Sequence, residues 1–266
     1  MKGGNHSTLQ DIKVSKKAGG FCYKSDQYIR NRFIYWRSYD DILELSEVSL
    51  DINLKNKNVK CKFEDSPILS IFISESEEYV TILVTTISNL HRLQFDHPRR
   101  SIGSKGEQNE NSVFASLTQE KALNPANLYN ISNQMSQNVP HKSVCYFSSA
   151  NEEAYFAVAH SNQLLLFQMN GFNGHTGVIE LKSSQIVPRF FSNMLRGKNN
   201  VTDSNFVSSL VFDEIGGEIV LYALYRDNNI RMWSAKSGQC LSVLNITVEN
   251  DERRSVGSKL EIYSKK

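Results

Sequence analysis

The chain has 266 residues, 40% of them hydrophobic and 22% charged, a globular balance that excludes a disordered chain, a fibre and a collagen-like repeat. Lys and Arg number 30 against 28 Asp and Glu, a net charge of +2, so no global field draws the molecule onto nucleic acid or an anionic membrane. The longest apolar stretches, Tyr79–Leu90 and Ile219–Tyr225, fall short of the roughly 20 residues a bilayer-spanning helix needs, and no membrane span is expected.

Residues 1–19 are polar and are expected to form a flexible tail; no apolar run follows the amino-terminal lysine, so no secretory signal is expected. Cys22, Cys61, Cys145 and Cys240 lie far apart without a Cys-x-x-Cys pair. That spacing fits neither a disulfide scaffold nor a zinc site, and points to buried free thiols.

From Arg32 to Phe63 the pattern is short and alternating: Phe33-Ile-Tyr-Trp-Arg37, then Val48, Leu50, Ile52 and Leu54, then Val59-Lys-Cys-Lys-Phe63. Period two with aromatic and β-branched residues predicts strands with one buried face. The next unit has strands at Pro67–Ile73, Tyr79–Val84 and Leu90–Phe95, joined by the acidic turn Ser74–Glu78 and a polar corner at Ser88-Asn89.

That unit recurs. Val144–Phe147, Ala154–Ala159 and Leu164–Phe167 repeat it, as do Leu210–Phe212, Glu218–Tyr225 and Ile230–Trp233. In all three, the large residue opening the unit (Phe72, Phe147, Phe212) precedes the closing one (Leu93, Phe167, Trp233) by 20 or 21 residues. A meander repeated this way, unable to bury its own faces, is the pattern of radially stacked blades. In the last unit, Asp227-Asn-Asn-Ile-Arg-Met-Trp233 leads into Ser237-Gly238 and Cys240-Leu241, the end of a WD-type blade in which Gly238 supplies positive φ at the hairpin turn.

Residues 99–142 are rich in Asn, Ser and Gln and read as a polar inter-blade insertion, with a short helix predicted at Ser112–Lys121, capped by Ser112. A second helical spacing covers Gln185–Arg196, with Ile186, Phe190 and Met194 on one stripe. It is the one segment with a membrane role to weigh; packing onto the strand at Val178–Leu181 is favoured, because only Arg189 and Arg196 supply charge. Residues 250–266 are expected as a flexible charged tail.

Gly20-Phe-Cys-Tyr-Lys24, Arg30-Asn-Arg-Phe-Ile-Tyr-Trp-Arg37, Leu43-Glu-Leu45, Ser49-Leu-Asp-Ile-Asn-Leu54, Leu90-His-Arg-Leu93, His97-Pro98, Val178-Ile-Glu-Leu-Lys182 and Ile230-Arg-Met-Trp-Ser234 together resemble the amino-terminal β-propeller of the one-sixty nucleoporin family. That family supplies large scaffold subunits of the Y-shaped nuclear pore subcomplex. The resemblance runs from about Gly20 to about Ile246. It implies an all-β fold: an incomplete WD-like β-propeller of about four blades, with a short helical insertion, over residues 20–249. It also implies a structural role at the nuclear envelope, supporting transport of messenger RNA and protein through contacts with other Y-complex nucleoporins. The family's long α-helical solenoid has no counterpart after Trp233, so the chain reads as the first part of a propeller. On that reading the apolar face around Leu210, Val211, Leu221 and Leu224 would meet water.

The residues offer no chemistry of their own. There is no phosphate loop, Gly103-Ser-Lys-Gly106 lacking the length and the preceding strand, and no nucleophile elbow or His-Glu-x-x-His. His91 and His97 lack a third ligand, and His160 and His175 read as turn residues. Glu75, Glu77, Glu78, Glu152 and Glu153 read as solvated corners. Trp36 and Trp233 read as inter-blade filling. His97-Pro-Arg-Arg100 with Lys105 is too small a basic cluster for direct nucleic-acid binding. Catalytic, cofactor-binding and metal sites are therefore each assigned as none, and the chain is expected not to be an enzyme and to need no cofactor. The competing reading is a WD-type adaptor recruiting a client to a ubiquitin ligase or kinase complex.

Overall fold

Short hairpins account for nearly all of the regular structure. The computed structural model describes residues 16–24, 31–64, 66–98, 110–116, 125–135, 138–171, 174–182 and 205–246. Their strands form four antiparallel sheets, each a four-stranded meander in chain order. The first sheet holds β1 (Lys17–Cys22), β2 (Arg32–Tyr39), β3 (Ile42–Ser49) and β4 (Asn58–Lys62). The second holds β5 (Ile68–Glu75), β6 (Tyr79–Thr86), β7 (Asn89–Asp96) and β8 (Leu128–Asn130). The third holds β9 (Pro140–Ser148), β10 (Glu153–His160), β11 (Gln163–Met169) and β12 (Thr176–Glu180). The fourth holds β13 (Val207–Ile215), β14 (Glu218–Tyr225), β15 (Asn229–Ser234) and β16 (Cys240–Asn245). The chain divides into two units, residues 1–131 and 132–266, each with two of the sheets.

In the first unit the core is built where the two sheets contribute alternate residues. Ile34, Leu43 and Leu45 come from the first sheet, and Ile68, Val80, Ile82, Val84, Leu93 and Phe95 from the second. Period two puts each set on one face. In the second unit Ala157, Leu164 and Leu166 of the third sheet share a core with Leu210, Phe212, Leu221, Ala223 and Trp233 of the fourth. The face expected to meet water is therefore mostly covered: Leu210, Leu221 and Leu224 are buried, Leu210 and Leu221 because they join that shared core.

Four local expectations are corrected. The alternation through Val48, Leu50, Ile52 and Leu54 is not one strand: β3 stops at Ser49, whose Oγ accepts from the amides of Asp51 (3.2 Å) and Ile52 (3.3 Å). That hydroxyl turn diverts the backbone from the ladder. The helix expected from Ser112 is a single 3₁₀ turn over Val113–Ser116, with Ser112 Oγ capping the Phe114 amide at 3.1 Å. Residues 117–121 and the Gln185–Arg196 helix lie outside the described residues. The polar insertion is interrupted by β8, which pairs with β7 (Asn89 opposite Asn130, His91 opposite Leu128), so its first part separates two strands of one sheet. Residues 17–19, placed in the tail by sequence, are paired strand.

Bulges recur at the start of the first strand of three sheets. Each skips one residue in the pairing: Leu69 in β5, His141 in β9 and Ser208 in β13. A bulge re-aims side chains and frees backbone groups, and both are used. The Leu69 carbonyl accepts from the Lys17 ammonium, and the Val207 carbonyl accepts from His141 Nε2 at 3.0 Å. In each unit, then, the first strand of one sheet bonds the bulged first strand of the next.

Candidate functional site

The densest polar cluster of the first unit surrounds Glu47. On β3 this residue continues the inward row of Leu43 and Leu45 and has no solvent exposure. Its Oε1 accepts from the Tyr23 hydroxyl at 2.9 Å, and its Oε2 accepts from the Val113 amide at 2.7 Å. The Arg32 guanidinium lies 3.8 Å from Oε1 and donates to the Asn111 carbonyl at 3.4 Å. Burial, then the adjacent Glu47 charge, push the Tyr23 phenol well above its usual range. The phenol thus stays a donor, not a base. The cluster satisfies a buried carboxylate and pins the insertion to the sheet, assisted by backbone bonds between Lys55 and residues 110 and 112 and by an Arg92 Nε bond to Asn127 Oδ1 at 3.0 Å.

His97, His91 and His160 serve packing. His97, buried, bonds Glu75 Oε2 at 3.1 Å and meets the Tyr23 ring edge-on at 5.8 Å. Glu75 is consequently a buried residue and not a solvated corner; its other oxygen accepts from the Lys24 amide. His91 packs edge-on against Phe63 at 4.7 Å, its Nε2 buried without a hydrogen-bond partner, and burial lowers its pKa to about 4. His160 is the buried last residue of β10 and not a turn residue. Of the cysteines only Cys145 is buried; Cys22 is exposed and Cys61 and Cys240 are intermediate. Among the described residues no three His, Cys, Asp or Glu side chains converge as a metal site would require. Gly103–Gly106, Arg99 and Arg100 lie outside the described residues.

In the second unit the corner after β14 carries a second polar cluster. Arg231 donates to Asp227 Oδ2 at 3.0 Å and Asn205 Oδ1 at 3.1 Å, with its guanidinium 3.8 Å over the Tyr225 ring. Beside it a cleft of about 240 Å³ is lined by residues that include Asn162, Gln163, Glu180 and Lys182. Trp233 is fully buried, and Trp36 is partly buried against the first core. Gly238 has φ of +68° as expected, and a Cβ there would lie 2.6 Å from Ile179 Cγ2. Exposure concentrates on β16, where Leu241, Val243 and Leu244 are 48%, 46% and 62% accessible. Sequence reasoning passed over Glu47 and Arg92 and placed Glu75 at a solvated corner; for Glu47 and Glu75 the available signal was a charged residue falling in the inward phase of an apolar alternation.

Comparison with known proteins identifies the family. The family model for the nucleoporin Nup120/160 β-propeller domain matches residues 32–264. The chain belongs to that family. It is 37% identical over 257 residues to the Nup160 homolog of Drosophila melanogaster, covering 92% of this chain and 18% of that protein. It is 31% identical to Nup160 of Mus musculus (93% and 19% covered) and 30% identical to Nup160 of Homo sapiens (93% and 18%). The chain thus spans just under a fifth of the length of these family members. Among solved structures it is similar to the β-propeller domains of Myceliophteria thermophila Cps50 (9% identity, TM-score 0.43, 80% of this chain and 54% of that one) and of Vanderwaltozyma polyspora Nup133 (11%, 0.42, 80% and 46%).

Proposed function

We propose that the chain is a structural part of the nuclear pore complex, serving in its Y-shaped subcomplex through protein–protein interfaces. On this reading it resides at the nuclear envelope, supports passage of messenger RNA and protein, and catalyses nothing. The observation that carries the proposal is the family match over residues 32–264. Each four-stranded sheet is read as one blade, with other Y-complex nucleoporins as partners. Buried charge clusters used as latches and an outer strand with exposed Leu and Val suit a rigid interaction module. Fluorescent tagging of the chain in living cells tests the proposal: a punctate nuclear rim is expected, and diffuse signal with no rim under any expression level would sink it.

A further inference from the structure

The corner between β9, β13 and β14 in the second unit holds two exposed cations, Lys142 and Arg226, beside an aromatic stack. His141, the extra residue of the β9 bulge, stacks its ring on Phe206 with centroids 4.1 Å apart and planes 15° from parallel. The Arg226 guanidinium lies 3.9 Å from the centre of the same Phe206 ring. The two groups cannot share one face at those distances, so Phe206 is sandwiched. The Arg226 amide also donates to the Phe206 carbonyl at 2.9 Å, and His141 Nε2 donates to Val207 at 3.0 Å. Arg226 and Lys142 are exposed, and among the described residues neither makes an ion pair. Several other described cations are matched: Arg37 and Lys60 to Glu44, Lys55 to Glu110, Lys62 to Asp41, Lys182 to Glu180.

We infer that Arg226, backed by Phe206 and His141 and flanked by Lys142, is a receptor for an acidic segment of a partner polypeptide. A guanidinium laid flat on a ring keeps its edge donors in plane and free, the geometry that takes a carboxylate as a two-pronged fork. Stacking also fixes the side chain beforehand, which reduces the ordering cost of binding. Burial, and after it the nearby Lys142 and Arg226 charges, lower the pKa of the His141 ring. A nucleic-acid partner is disfavoured, because single-strand binding uses open aromatic faces for base stacking and both faces of Phe206 are taken. The inference rests on the reading of the chain as a protein-interaction module, but not on which complex it joins.

The test is fluorescence anisotropy of the full chain with a capped peptide rich in Asp and Glu, its Asn and Gln counterpart, and a single-stranded oligonucleotide of equal charge. The expected result is binding of the acidic peptide alone, weakened about tenfold or more by Arg226→Ala and partly restored by Arg226→Lys, which keeps the charge and loses the fork. Lys142→Ala, at an exposed strand position, should weaken it less and lower its sensitivity to salt. No binding of the acidic peptide, equal affinity for the amide peptide, indifference to both substitutions in chains that melt like the parent, or preference for the oligonucleotide would each overturn the inference. Acidic-peptide binding by a chain absent from the nuclear rim would refute the pore assignment and leave the receptor standing.

Discussion

Trp233 is the largest fully buried side chain of the described residues, and it sits opposite Leu221 on β14 and Cys240 on β16. Removing so large a side chain from a core costs about 3 to 5 kcal/mol, so Trp233→Ala should lower the urea midpoint by a large fraction of the folded range; an unchanged midpoint would contradict the core assignment. Glu47 is buried for a different reason. Its carboxylate answers a phenol, an amide and a guanidinium at once, and leaving a buried partner charge uncompensated typically costs about 3 to 5 kcal/mol. His91 makes stability depend on pH. Its folded pKa of about 4 lies below the ordinary value near 6.5, so the unfolded chain binds more protons between those values. The contribution is present above about pH 6.5, is lost progressively as pH falls toward 4, and falls no further below that. His91→Phe should flatten this part of the stability profile in chemical denaturation at a series of pH values; an unchanged slope would place the proton uptake elsewhere.

At the scale of elements, turn geometry and insertion anchoring do the specifying. The Ser237-Gly238 turn must reverse the chain between β15 and β16 with positive φ while lying against Ile179. Gly238→Ala adds left-handed strain of about 1 to 2 kcal/mol and a Cβ within 2.6 Å of Ile179 Cγ2, and calorimetry should show a lower Tm. A variant as stable as the parent would mean that the turn repacks at no cost. The insertion is less independent of the fold than its polar composition suggests. Val113, Phe114 and Ile131 are buried, and Val113 and Phe114 belong to the first core. Hydrogen exchange should therefore find the Val113 amide protected, and Glu47→Ala should release it without raising exchange across β14 and β15. Full exchange of Val113 in the parent at the earliest time point would contradict the anchoring.

The hairpins were legible because period two, β-branched residues and polar corners coincide in β5–β7, β9–β11 and β13–β15, where each local preference agrees with the packed structure. What could not be read depends on tertiary contact. The sequence Lys17-Ala-Gly-Gly-Phe-Cys22 has weak strand propensity, and it is strand because Gly19 faces Trp36 across the ladder, where a Cβ would fall 2.6 Å from the indole. β8 has three residues, too few for any period. Glu75 reads as a solvated corner, and the buried roles of Glu47 and Arg92 stay hidden, until partners 22 to 66 residues away are in place.

Taken whole, the described residues form two pairs of sheets, each pair with its own core and bonded through bulged first strands. Quantitative affinity purification of the tagged chain from nuclear-envelope extract, against a tag-only control, tests the pore assignment. Enrichment of nucleoporins of the Y-shaped subcomplex is expected, whereas recovery of ubiquitin-ligase or kinase components with no nucleoporin above control would contradict it.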